Sequence, residues 1–197
     1  MTTLSTTKAI GGIGAIMVLL VPVPTIGWIL GIAGLIMVLI AIKGISDLLQ
    51  DKSIFNNMLY SVICEIVAIV VLGVSVIFAI YRLLGLGTFT GSGYIPGPNV
   101  TAGDWIAFAL GWIPFLLAIW VLLIISAVFI RISLSKIDSG LSMRLFGTTG
   151  LMFLIGAVTT IIAIGFLLIL VAEIMLAIAF FSITETSGKL KGPMTTT

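Results

Sequence analysis

From Leu145 to Ile183 the chain carries a single charged side chain, Glu173. A helix in water keeps a polar face for the solvent, and this run has none to offer. As one helix it would rise about 57 Å, nearly twice the roughly 30 Å of a bilayer's hydrocarbon core. It should therefore break, between Thr159 and Gly165. A second block, Ala9 to Ile42, is interrupted only by Val21-Pro22-Val23-Pro24-Thr25, where proline removes backbone donors and makes a turn between two short helices. Met58 to Tyr81 forms a full span ended by Arg82, and another runs from the neighbourhood of Trp105 to Ile130, with Pro114 as a kink and Trp105 and Trp112 as interfacial anchors.

These runs predict an all-α polytopic membrane bundle of six transmembrane helices in three hairpins, the two outer hairpins either spanning or re-entering. Composition agrees, since 60% of the 197 residues are hydrophobic and 8% charged, where a soluble domain carries about a quarter. The whole of 1–197 reads as one transmembrane domain. Lys8 followed by the apolar stretch Ala9 to Val21 imitates a secretory signal, but no small-x-small site follows and Pro22 and Pro24 lead straight into a second run. The stretch is expected to stay as the first helix.

Between the spans, Lys43 to Asn57 reads as an interfacial helix and turn, with Ile45, Leu48 and Leu49 on one face. Leu83 to Gly103 is glycine- and proline-rich loop, closed by Thr101-Ala102-Gly103-Asp104, which resembles a capping box. Arg131 to Arg144 reads as a short polar loop, and 184–197 as a disordered cytoplasmic tail.

Charge placement orients the bundle, because cytoplasmic loops collect Lys and Arg. With both termini on one side, that side holds Lys8, Lys43, Lys52, Arg131, Lys136, Arg144, Lys189 and Lys191, and the other holds only Arg82. Both termini are therefore expected in the cytoplasm and the protein in the cell membrane. Asn99-Val100-Thr101 is a glycosylation pattern at Asn99, on the side assigned outside.

The outer blocks resemble each other. Lys8, Gly11 and Gly14 answer Arg144, Gly147 and Gly150. After a two-residue shift, Gly27, Leu30, Ile36, Met37, Ile40, Ala41 and Ile45 align with Gly165, Leu168, Ile174, Met175, Ile178, Ala179 and Ile183, and Asp47 with Glu185. A duplication here is a parallel repeat, since both hairpins start from the cytoplasm. In a chain this rich in Ile, Leu and Gly, composition alone supplies many such identities.

Ser5-Thr6-Thr7-Lys8 with Gly11-Gly12-Ile13-Gly14, Ala41-Ile42-Lys43-Gly44-Ile45-Ser46-Asp47, and Asp51-Lys52-Ser53-Ile54-Phe55-Asn56-Asn57 resemble a family of archaeal integral membrane proteins, domain of unknown function 996. The resemblance covers most of the chain outside Leu83 to Gly103. It implies an archaeal multi-span protein and brings no activity with it.

Chemistry-bearing residues are few. Glu65 and Glu173 are the charged side chains deep inside spans, where such groups face a bundle interior, a polar cavity or a partner. They suit either a proton or cation site or two hydrogen-bonded carboxyls that hold helices together. Gly27, Gly31 and Gly34, Gly11 with Gly14, and Gly147 with Gly150 are expected to let helix backbones approach closely. Lys43, Asp47, Asp51, Lys52, Asn56 and Asn57 form the densest polar cluster, read as an inter-span loop or a headgroup surface.

The chain has no histidine, and Cys64 is its sole cysteine. No HExxH, GxSxG or GK[ST] motif occurs, so an enzyme, a metal site and a cofactor are not expected. Net charge is +2 with the basic residues dispersed, which argues against nucleic acid. Two functions remain. One is an accessory, assembly or membrane-organising component with lipid, membrane-protein or self-association partners. The other is a small proton- or cation-linked channel or transporter using Glu65 and Glu173.

Overall fold

A computed structural model describes residues 4–83 and 102–183. The described residues form a helical membrane bundle and contain no strand: α1 (Leu4–Leu19), α2 (Gly27–Leu48), α3 (Lys52–Leu83), α4 (Ala102–Leu141), α5 (Arg144–Thr159) and α6 (Ile164–Phe181), with one 3-10 turn at Thr160–Ile162. Five of the helices are long and apolar enough to cross a bilayer, and α1, at 16 residues, is shorter than a span.

The breaks fall where backbone chemistry asks for them. Pro22 and Pro24 separate α1 from α2, with Thr25 at φ 69°. The long C-terminal run breaks at Thr160–Ile162, and Ala163 takes φ 63° before α6 begins. The turn between α2 and α3 turns on Gln50 at φ 54°, and that between α4 and α5 on Ser142 at φ 54°. Left-handed backbone at a non-glycine residue costs about 1–2 kcal/mol, and each of these four residues spends it on a sharp reversal.

Two expectations are corrected. Arg131 to Leu141, read as loop, is the continuation of α4. Ile130, Leu134, Ile137 and Leu141 are all buried at helical spacing, so this polar-looking segment is an amphipathic helix end packed on its neighbours. Likewise Lys43 to Asn57 is not a separate interfacial helix. It is the end of α2, a turn over 49–51 and the start of α3. Ala102 and Gly103, at the end of the expected loop and inside the capping-box pattern, open α4. Asn99, the Thr101 cap, most of the Leu83 to Gly103 segment and the 184–197 tail lie outside the described residues.

The helices fall into two compact units, Met1–Val62 with Ile124–Thr197, and Ile63–Leu123. In the first, α1 packs on α2 and α6, and α5 on α6. Its core includes Val38, Ile42 and Ile45 of α2, Ile54 of α3, Leu134 and Ile137 of α4, and Phe146 and Phe180, whose rings meet edge to face at 5.5 Å. The second unit holds the remaining parts of α3 and α4, joined by the Phe78–Phe115 ring pair at 5.8 Å. Ala68 and Ser75 are buried there, whereas Ile69, Val70, Ile77, Leu110, Leu116 and Leu117 are more than half exposed.

Candidate functional site

The most developed polar arrangement lies at one end of the first unit, where the α2–α3 turn meets the C-terminal part of α4. Asp51 caps α3 by accepting from the Ser53 backbone N–H at 2.9 Å and from the Ser53 hydroxyl. The Ser46 hydroxyl donates to the Asp51 carbonyl at 2.8 Å, holding the turn to the end of α2. Lys136 of α4 reaches Asp51 Oδ2 at 3.4 Å and also donates to the Ser53 hydroxyl. One turn deeper, the buried Ser133 hydroxyl donates to the Ile54 carbonyl at 2.8 Å.

The Ser53 hydroxyl and N–H, and then the Lys136 charge, hold the Asp51 carboxyl below its ordinary pKa. Lys43 lies over the Phe55 ring, 5.9 Å from its centroid. Of the cluster marked out in sequence, Asp51 is therefore a helix cap and ion-pair partner, and Lys43 a stacking cation. Ser53, Ser133 and Lys136 join the arrangement from outside that cluster. Their signal is the buried spacing of Ile130, Leu134 and Ile137, because Ser133 lies on the flank of that buried face, against Ile54 at the start of α3.

Most of the glycines marked in sequence sit where helices or turns come close. A Cβ on Gly14 would lie 2.8 Å from the Gly34 carbonyl oxygen, and one on Gly34 would lie 2.5 Å from the Gly14 oxygen, so α1 and α2 touch backbone to backbone. Gly11 faces the Phe180 ring, Gly27 and Gly31 face Val21, Gly147 lies under the Asp138 carboxylate, and Gly150 lies against the backbone of Arg131. Gly156 and Gly165 repeat the backbone contact between α5 and α6.

Glu65 and Glu173 are each half-buried within a span, and each is engaged by its surroundings. Glu65 belongs to the Ile63–Leu123 unit and Glu173 to the other. Cys64 is a half-buried free thiol. Among the described residues no group of three His, Cys, Asp or Glu side chains gathers at metal-ligand distance.

Residues 30–174 match the model of a family described as protein of unknown function, DUF996. The chain belongs to this family. The match takes in most of α2, all of α3, α4 and α5, and the first part of α6. The chain is also similar to an uncharacterized protein of Methanocaldococcus jannaschii, MJ1644, at 32% identity over 179 residues, which cover 90% of this chain and 92% of that one. No solved structure matches. As a DUF996 member the protein has the multi-helix, apolar build expected from the sequence resemblance.

Proposed function

We propose that the protein is a non-enzymatic component of the cell membrane that works by associating with other membrane proteins, with both termini in the cytoplasm. One observation carries this reading. Gly11, Gly14, Gly34, Gly150 and Gly156 of the first unit pack against other residues of the chain, whereas the described glycines of the Ile63–Leu123 unit lie among exposed aliphatic faces, of which the first unit also has several. In the Ile63–Leu123 unit Gly73 and Gly111 have no atom within 4 Å of where a Cβ would stand. A glycine costs helix stability about 1 kcal/mol relative to alanine, and in membrane helices small residues serve close approach by another helix. Nothing inside the described chain uses the space beside these two.

The orientation rests on charge. Lys136 pairs with Asp51, and Lys43 stacks on Phe55, so basic residues of the α2–α3 and α4–α5 ends gather at one end of the first unit. Cysteines placed at Pro24 and Thr160 would react with an impermeant reagent from outside if both hairpins span.

A parallel duplication of the α1–α2 and α5–α6 hairpins fits the same architecture. All seven aligned pairs from Gly27/Gly165 to Ile45/Ile183 match in burial, being buried, half-buried or exposed together. In that register Thr25 answers Ala163, and both are left-handed. Among the first-helix pairs, Gly14 and Gly150 are both buried, while Lys8 and Gly11 are more buried than Arg144 and Gly147.

In this reading Glu65 and Glu173 are helix-binding carboxyls. Affinity purification of the full chain in mild detergent tests the proposal. Co-recovery of a stoichiometric membrane protein, or a stable oligomer, supports it. Recovery as a lone monomer contradicts it.

A further inference from the structure

Between α4 and α5 lies an open cleft of about 380 Å³ lined by Val128, Arg131, Ile132, Ser135, Lys136 and Leu154. Its origin is the Gly150 crossing. Glycine lets the α5 backbone come against Arg131, where a Cβ would meet the Arg131 Cα at 3.0 Å. One turn further along α5 the corresponding residue is Leu154, and there the space opens. The lining residues from α4, at 128, 131, 132 and 135, share one helix face by their spacing of three and four. That face changes character where the apolar stretch of α4 ends. Val128, Ile132 and Leu154 make an apolar part, and Arg131, Ser135 and Lys136 a polar, cationic one.

No acidic side chain lines the cleft. Lys136 is held in place by Asp51 and Ser53, a fixed charge beside the opening. Arg131 is exposed and makes no ion pair among the described residues. A guanidinium offers a fork of donors matched to phosphate oxygens. Basic pockets between membrane helices at the cytoplasmic side suit anionic headgroups.

We propose that this cleft binds a membrane lipid with an anionic phosphate headgroup. Arg131 takes the phosphate oxygens, with the Ser135 hydroxyl and the Lys136 charge beside it, and the hydrocarbon chain lies along Val128, Ile132 and Leu154. The assignment goes beyond the association role above and stands on a different unit of the chain.

Native mass spectrometry of the full chain from mild detergent tests it, with phosphatidylglycerol, phosphatidylcholine or glycerol 3-phosphate added. Phosphatidylglycerol should be retained in preference to phosphatidylcholine, and glycerol 3-phosphate should not displace it at equal concentration. Arg131→Gln should weaken retention about five-fold, the factor contributed by one interfacial basic residue. Leu154→Trp, and Ser135→Trp at an exposed position, should weaken it similarly by filling the cleft without changing charge. Arg144→Gln, an exposed basic residue outside the cleft, should leave it unchanged, and melting temperatures verify that each variant is folded.

Equal retention of the two lipids overturns the proposal. So does a loss from Arg144→Gln as large as that from Arg131→Gln, or full retention in both tryptophan variants, because then only diffuse charge is at work. Glycerol 3-phosphate binding as tightly as the lipid makes this a site for a free phosphate compound and overturns the lipid assignment.

Discussion

Replacing Gly34 by alanine should separate α1 from α2. The added Cβ would stand 2.5 Å from the Gly14 oxygen and 2.8 Å from both Met17 Cβ and Val18 N. Two of these three atoms are backbone, so no rotamer change relieves the clash. Ordinary contact begins at 3.4 Å, and α1 must withdraw by roughly 0.9 Å, a gap that forfeits up to about half of the dispersion well along the crossing. In a bilayer, packing is the main force between helices, since lipid tails are as apolar as the side chains they replace. Overpacking of this kind costs about 1–3 kcal/mol, and backbone-to-backbone contact places Gly34→Ala near the upper end. Gly73→Ala, which meets nothing within 4 Å, is the matched control and should be no less stable than wild type, gaining up to about 1 kcal/mol of helix propensity. Reversible unfolding by SDS titration in mixed micelles, followed by tryptophan fluorescence and circular dichroism, measures both. Equal stability of the two variants would refute the crossing as described.

Four further outcomes follow from named contacts. Phe180→Ala removes a fully buried ring that meets Phe146 and faces Gly11. In the same titration it should cost about 2 kcal/mol, below the usual aqueous-core value because the unfolded reference is also in an apolar medium. Ser133→Ala removes the buried bond to the Ile54 carbonyl and should cost about 1 kcal/mol. Ala163→Gly relieves left-handed strain at φ 63° and should stabilise by about 0.5–1 kcal/mol. The Asp51 carboxyl titrates below its ordinary 3.8 in the folded chain. Its contribution is therefore present above that value and lost as pH falls through the lowered folded pKa. The stability difference between wild type and Asp51→Asn should hold steady down to about pH 5 and shrink below about pH 4.

Much of the fold is written in hydropathy. The span from Met58, the proline turn at Pro22 to Thr25 and the break inside Thr159 to Gly165 follow from bilayer thickness and backbone chemistry, which act locally. The Arg131 to Leu141 segment looks like a loop by charge and is a helix by period. Arg131, Lys136 and Asp138 mark a surface, but the buried spacing of Leu134, Ile137 and Leu141 marks a helix, and a helix end can present both. The latch at Asp51 was out of reach for a different reason. Asp51 and Lys136 are 85 residues apart in sequence, and no local pattern pairs them. The same holds for Gly11, whose neighbour is Phe180.

The claim that the Ile63–Leu123 hairpin faces a protein partner is tested most directly by photocrosslinking in native membranes. A benzophenone side chain would replace Ile69 of α3, 67% exposed, or Ile113 of α4, 48% exposed. The account predicts a discrete protein adduct of defined mass from one or both positions, whether with another protein or a second copy of the chain. Adducts with lipid alone from both positions would contradict it.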